Sequence, residues 1–259
     1  MKSPTNYGCL GIIAIAFFAY VSLFGSSGEN APTATPTPSV SDTVTPTPSA
    51  SDTTSPSPLP NQTTEAIPKK KRGAALKALA KLPIKGRAPK TGYSREMFSD
   101  DWDYYNGCDV RNRILARDFV QFTYRSNSYC IIENGILEDP FTGQVIAFER
   151  GVRTSSEVQI DHVVSLSDAW QKGAQQLSSY ERFMIYNDPL NLLAVWGPAN
   201  SQKNDSDAAS WLPSNKSFRC SFVARQIAVK AKYQLWVTQA EHDAMTRVLA
   251  TCPKKNLPK

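Results

Sequence analysis

The sequence predicts an α+β domain in its C-terminal part, a small antiparallel hairpin region with helices packed around it. Three observations carry this prediction. Short apolar runs are bounded by turn residues, segments of helical period lie between and after them, and four cysteines are confined to the same part of the chain. From Tyr93 to Cys252, roughly 160 residues, Trp, Phe and Tyr recur often enough to fill one core.

The elements follow in order. CDVRNRILARDFVQF (108–122) places Val110, Ile114, Leu115 and Phe119 on a helical period. SYCIIENGIL then offers Asn134–Gly135, a hairpin-turn signal between apolar flanks, and DPFTG (139–143) marks a second turn. QVIAFER and EVQIDHVVSL read as strands. SDAWQKGAQQ, with Ser167 as cap, starts a helix, and ERFMIYND is helical until Pro189 stops it. NLLAV (191–195) is a short strand, and GPANSQKND opens a helix or turn. The C-terminal third is helical, over 218–235 and again from TQAE, where Thr238 and Glu241 fit a capping box.

Upstream, composition changes sharply. Residues 7–24 are apolar and follow Lys2, which fits a secretory signal peptide (1–25) or a membrane anchor of minimal length. Cys9 sits too early for a lipoprotein cleavage site. Residues 26–64 read as a solvated stalk: 22 of the residues 31–60 are Pro, Ser or Thr, and TPTPSVSDT recurs as TPTPSASDT. Either reading of the apolar segment sends the rest of the chain out of the cytoplasm, secreted or held at the membrane.

The formal net charge of +6 is not a property of the folded part. Residues 65–92 hold nine Lys/Arg against one Glu, whereas residues 93–259 hold 19 of each sign. The excess is a basic linker arm, able to attract nucleic acid, anionic lipid or acidic wall polymer without telling them apart, or simply solvated. Cys108, Cys130, Cys220 and Cys252 form an even set, which in an exported chain reads as two disulfides. Of three pairings, Cys108–Cys130 with Cys220–Cys252 closes the two short loops. No CxxC spacing supports a zinc site.

VQIDHVVSL (158–166) raises the functional question. Asp161 and His162 interrupt a run that a strand would bury, where both are costly unless bound. Either they close the strand and are satisfied by backbone, or they hold a metal and activate water. Asn191 begins the next strand, Asn200 follows nine residues on, and Lys203 lies three residues after it. Strand, strand and helix thus draw Asp161, His162, Asn191, Asn200 and Lys203 toward one end of a ββα unit.

Five ordered motifs carry a resemblance: CDVRN (108–112), DPFTG (139–143), VQIDHVV (158–164), NDPLNLLAV (187–195) and NSQKND (200–205). Together they resemble the HNH, or ββα-metal, endonucleases, and in particular an exported bacterial HNH family. The resemblance covers Tyr93 to Cys252 and implies a nuclease domain over 93–259. It departs from the HNH pattern at Asn200, which stands where the second His is usual, as in many members. It implies that Asp161 and Asn200 hold one Mg²⁺, or another divalent cation such as Mn²⁺, that His162 is the general base, and that DNA or RNA is the substrate. An imidazole with an ordinary pKa near 6.5 suits proton abstraction at neutral pH. Two oxygen ligands suit a cation that retains several waters.

A regular strand points Asp161 and His162 to opposite faces, so a bulge or a strand end is expected there. Asn191 is expected to brace the loop after His162, and Lys203 to touch phosphate or to be a solvated helix lysine. His242 reads as a surface residue, Asp205 and Asp207 as supports or caps, and Trp170, Trp196, Trp211 and Trp236 as core. For Arg111, Asn112, Arg150 and Arg182 the choice between substrate contact and structure stays open. The competing functions are a non-catalytic cell-envelope binding protein and a hydrolase of another phosphodiester polymer.

Overall fold

A computed structural model of the 259-residue chain describes residues 72–258. The apolar segment 7–24, the stalk and the lysines at 69–71 lie outside the described residues. No helix among the described residues is long and apolar enough to cross a membrane.

The chain starts with α1 (Ala74–Leu79). A two-residue hairpin, β1 (Tyr104–Tyr105) and β2 (Cys108–Asp109), leads into α2 (Val110–Asp118). Next comes an antiparallel meander of β3 (Phe119–Tyr124), β4 (Ile132–Glu138) and β5 (Val145–Glu149). β6 (Val158–His162) pairs antiparallel with β7 (Leu192–Trp196), and α3 (Leu166–Gln171) and α4 (Ser179–Asn187) fill the connection between them. α5 (Gly197–Lys203) follows β7 directly, so β6, β7 and α5 form a ββα unit. α6 (Arg219–Lys232) and α7 (Gln239–Ala250) complete the α+β fold.

The β6–β7 ribbon is the centre of the packing. Val158, Ile160, Leu192 and Ala194 face α2 and the meander in one apolar cluster. Leu193 and Val195 join a second cluster with Phe222, Val223, Ile227 and Met245. Burial on both faces explains why these strands read as nearly continuous apolar runs. Gly197 starts α5 because a Cβ there would lie 2.2 Å from the Ser156 carbonyl oxygen.

The second cluster also contains Ala75, Leu76, Leu79 and Leu82. The chain expected to act as a basic linker up to residue 92 is therefore, from Gly73 on, part of the folded unit. The Gly73 amide donates to the Pro253 carbonyl, and the Ala75 amide to that of Lys255. The period in this stretch is hidden by its lysines: Lys77 and Lys81 stay exposed while Leu76, Leu79 and Leu82 beside them are buried.

Two sequence expectations fail for physical reasons. Asn134–Gly135 is not a turn but lies inside β4, opposite Thr123 and Phe122. Gly135 is needed there because a Cβ would come 2.1 Å from the Phe119 ring, which lies across the strand. The chain's other Asn–Gly pair, Asn106–Gly107, makes the hairpin between β1 and β2, with φ of 51° and 73°, as a two-residue loop requires. The helical period of 108–122 also ends early, because from Phe119 the chain pairs with β4 instead.

Both expected disulfides form, Cys108–Cys130 and Cys220–Cys252. The CDVRN motif is a clamp beside the first. Asp109 caps α2 by accepting from the Asn112 amide at 2.7 Å, and Asn112 Oδ1 accepts from the Ile132 amide and from Arg150. Arg111 donates to the Val158 carbonyl. These residues join α2 to the meander and β6, which settles them as structural. The Cys220–Cys252 bond ties α6 to the end of α7 across 32 residues. Closing a loop of that length stabilises a fold by about 3–4 kcal/mol in the chain-entropy account. Replacing both of these cysteines with serine should lower unfolding free energy by that amount in a urea titration. Removing residues 73–92 should go further: three buried leucines at about 1.5–3 kcal/mol each rival a typical total stability, so circular dichroism should show no cooperative melt.

Candidate active site

The β6–β7 ladder is regular through the pair His162–Leu192, so β6 carries no bulge. Its end does the work. Asp161 lies on the face that α5 covers, His162 on the other, and a cavity of about 350 Å³ wraps around the strand end, where both line it. Asn200, Ser165, Ser167, Asp205, Lys90, Tyr93 and Arg95 complete its wall.

Asp161 and His162 are 4% and 6% exposed, so each needs partners. Lys203 Nζ donates to Asp161 Oδ1 at 2.8 Å and to the His162 carbonyl at 2.9 Å. Lys203 itself is wholly buried, which corrects the expectation of a phosphate contact or a solvated lysine. Two of its three donors are spent on β6. Asp161 Oδ2 is left without a hydrogen bond. The other buried carboxylate oxygens of which this holds among the described residues, Asp168 Oδ1 and Glu241 Oε1, each lie within 2.7 Å of an ammonium group. Burial accordingly pushes the Asp161 carboxyl up, against the downward pull of Lys203.

The imidazole of His162 is oriented from one side. Nε2 lies 2.9 Å from the Tyr186 carbonyl, which can only accept, so Nε2 carries the proton and Nδ1 the lone pair. Trp102 lies nearly parallel to the ring, at 10° and 5.8 Å between centroids, and the Tyr186 ring is 4.9 Å away. Burial, with Arg95 and Lys203 adding positive charge, lowers the His162 pKa to about 3 against the raising effect of the Tyr186 carbonyl. The ring is therefore neutral at physiological pH.

Asn191 spans the gap behind these residues. Its Oδ1 accepts from the Val164 amide at 2.9 Å, and its Nδ2 donates to the Val164 and Ile185 carbonyls. It thus bridges the loop after β6 and the end of α4 without entering the cavity. Asn200 donates through Nδ2 to Gln159 Oε1 at 2.9 Å, so its Oδ1 is the other end of an amide that lines the cavity.

These groups fit one hard cation. Asp161 offers an unused carboxylate oxygen, Asn200 an amide oxygen, and the cavity has room for the waters such a cation keeps. Among the described residues no group of three or more His, Cys, Asp or Glu is arranged to hold a metal ion.

Sequence reasoning found Asp161, His162, Asn191, Asn200 and Lys203 but missed Trp102, Tyr186, Arg95 and Gln159. Trp102 and Arg95 lie some sixty residues before His162, and nothing local links them to it. Gln159 alone had a signal, since residues two apart on a strand share a face and 159 must lie beside 161.

A buried charge cluster stands behind the Ser167–Asp205 wall. Lys172 Nζ lies 2.6–2.7 Å from Asp168, Asp207 and Glu241, and Lys230 meets Asp168 and Glu241. Glu241 was expected to close a capping box. Its amide does donate to the Thr238 hydroxyl oxygen, but its carboxylate belongs to this cluster. The expected Ser167 cap also moves: Ser165 occupies the N-cap position of α3, and Ser167 inside the helix donates to Asp205. His242 is half-buried and lies 3.6 Å from Asp243.

Fold and cavity together define a disulfide-linked α+β domain with a ββα unit at its centre. The pattern of the C-terminal domain of GmrSD restriction endonucleases matches residues 109–248, and the chain belongs to that family. A protein of Arthroderma benhamiae described as an uncharacterized secreted protein is 34% identical over 177 residues, which is 67% of this chain and 82% of the relative. That relative is fungal, so the likeness extends beyond the bacterial proteins that the motifs resemble. No solved structure matches.

The cluster yields two stability predictions. Lys172→Met, which leaves the three buried carboxylates with one counter-charge fewer, should cost about 3–5 kcal/mol in chemical denaturation. Burial pushes the Asp207 carboxyl up, but Lys172, the Ala209 amide and Arg87 outweigh it and hold it well below its ordinary 3.8. A depressed carboxyl contributes stability above its unfolded value and loses it as pH falls. Asp207→Asn should therefore be less stable than the parent at neutral pH, with the gap narrowing below about pH 4 in a pH series of melts.

Proposed function

We propose that the protein is an exported, divalent-metal-dependent endonuclease of the HNH type that hydrolyses phosphodiester bonds of nucleic acid. Asp161 Oδ2 carries this reading. A carboxylate oxygen buried in a cavity wall with no partner is costly, and it lies one residue from an imidazole with a free lone pair. Membership of a restriction-endonuclease domain family supports the chemistry. Export is supported by the two disulfides, the secreted relative and the apolar leader at 7–24.

His162 Nδ1 takes the proton from the attacking water. The Tyr186 carbonyl, bonded to Nε2–H, stabilises the imidazolium that results. Trp102 and Tyr186 hold the ring plane, and Asn191 fixes the loop that follows it. Lys203 locks Asp161 in one orientation on the cavity wall that it shares with Asn200. Asp161 and Asn200 are the residues that would hold the divalent cation, which when bound would supply positive charge to the phosphate and to the leaving oxygen.

The test is cleavage of supercoiled plasmid by the secreted protein. Nicking and linearisation should require Mg²⁺ or Mn²⁺ and stop with EDTA. His162→Ala should slow cutting by about 10²–10⁴-fold, the usual worth of a general base. A His162→Ala protein that is folded and cuts at the parent rate would remove the base from this assignment. A parent that binds DNA but leaves it intact under every metal would favour the binding-protein alternative.

A further inference from the structure

The site described above lacks a cation for its substrate. Lys203, the obvious candidate on the helix, is buried and committed to Asp161 and the His162 carbonyl. Among the described residues that line the cavity, the cations are Lys90 and Arg95. Lys90 comes from the segment up to residue 92 that sequence alone makes a basic linker, and Arg95 follows three residues after its end.

Residues 83–95 run across the domain as a strap. The Lys85 amide donates to the Val237 carbonyl at 3.0 Å and the Ala88 amide to that of Gln171 at 2.8 Å. In return Trp236 Nε1 donates to the Gly86 carbonyl and Trp170 Nε1 to that of Thr91. Arg87 reaches into the charge cluster, 2.7 Å from Asp207 and 3.2 Å from Asp168. Fixed at these points, the strap delivers Lys90 and Arg95 to the cavity rim.

Their surroundings leave both cations available. Arg95 Nη2 donates to the Tyr186 hydroxyl at 2.9 Å, and its guanidinium lies 4.9 Å from that ring's centroid. This bond engages one of five donors and aims the planar group. Lys90 Nζ is 3.2 Å from Asp205 Oδ2 and 5.4 Å from the centroid of the Tyr93 ring, with its side chain 53% exposed. An ion pair so open to solvent is worth little and can yield to a phosphate. Arg95 is tied to Tyr186, which binds the imidazole from the Nε2 side, whereas the attacked phosphate belongs on the Nδ1 side.

The geometry points to Lys90 and Arg95 as a phosphate-binding limb that grips backbone phosphates flanking the scissile one, so that the substrate is a strand rather than an isolated diester. This deepens the nuclease reading and rests on it for the identity of the substrate. The test separates the two. The full chain, with Arg95→Ala, Arg95→Lys, Lys90→Ala and Arg247→Ala (an exposed helix cation that does not line the cavity), is titrated against a fluorescent 20-base-pair duplex in EDTA at several salt concentrations.

Each alanine in the limb should flatten the dependence of log affinity on log salt by about 0.9, the release expected for one lost phosphate contact. Affinity should fall severalfold near physiological salt. Arg95→Lys should keep the parent slope, and Arg247→Ala should behave as the parent. With metal present, plasmid KM should rise for the limb variants by more than kcat falls. Parent-like slopes in both Arg95→Ala and Lys90→Ala, or an equal loss in Arg247→Ala, would overturn the limb while leaving cleavage intact. Flattened slopes in a parent that never cleaves would uphold the limb and sink the nuclease reading. A parent that does not bind the duplex at all sinks both.

Discussion

The half-paired carboxylate of Asp161 is the constraint around which the site is arranged. Burying an ion pair rarely stabilises a fold as much as packing apolar groups in the same volume would. Here the Lys203–Asp161 pair sits at 0% and 4% side-chain exposure and still leaves one oxygen uncompensated. Local stability gives no reason for that arrangement. Its geometric effect is definite. By taking Oδ1, Lys203 fixes the carboxylate plane, and by also binding the His162 carbonyl it fixes the backbone at the point where the strand stops. A single ammonium thus fixes both the Asp161 carboxylate and the backbone of His162. Because α5 follows β7 without a loop, the position of Lys203 is in turn set by the ribbon.

The surroundings are rigid in proportion. A neutral imidazole must present one nitrogen to solvent, and three unrelated elements cooperate to ensure it: the end of α4 through the Tyr186 carbonyl, the segment before β1 through Trp102, and Asn191 through the following loop. The far wall rests on the buried cluster of Lys172, Lys230, Asp168, Asp207 and Glu241, which joins α3, α6, α7 and the turn after α5. Such clusters specify geometry more than they add stability, since every member must be in place for any to be satisfied. The wall residues Ser167 and Asp205, bonded to each other, stand one and two residues from the cluster members Asp168 and Asp207, so the cavity inherits that rigidity.

Much of this was legible in the sequence, and the failures share a cause. The Asp–His pair, the bracing Asn191 and the amide of Asn200 stood out because polar residues at the end of an apolar strand demand an explanation. The disulfide pairing followed from loop length, the end of the helix before Pro189 from that proline, and the start of the last helix from its Thr238 cap. What misled were local signals overridden by contacts distant in sequence. Asn134–Gly135 has turn chemistry, yet the Phe119 ring claims the space over Gly135. Thr238 and Glu241 have capping-box spacing, yet Lys172 and Lys230 claim the glutamate. Residues 73–92 have linker charge, yet their leucines fill a groove between α6 and α7 that exists only in the folded chain. Lys203 looked solvated because helix lysines usually are, and only the neighbouring strand end reverses that.

The charge around the cavity decides what can enter it. Its lining carries Lys90 and Arg95 against Asp161 and Asp205, with His162 neutral, so the rim is balanced. The balance is uneven in space: Asp161 is buried with its own ammonium behind it, whereas Asp205 is exposed and shares Lys90 with solvent. An incoming phosphodiester therefore meets its strongest repulsion at Asp161 Oδ2, the one place where a bound cation would reverse the sign. At the opposite rim it meets a guanidinium already aligned on Tyr186. A neutral or cationic ligand would gain nothing from either feature. With the proposed cation bound at Asp161, a polyanion would gain at that end as well as at Lys90 and Arg95, and the strand end and the strap would then act as a single binding surface.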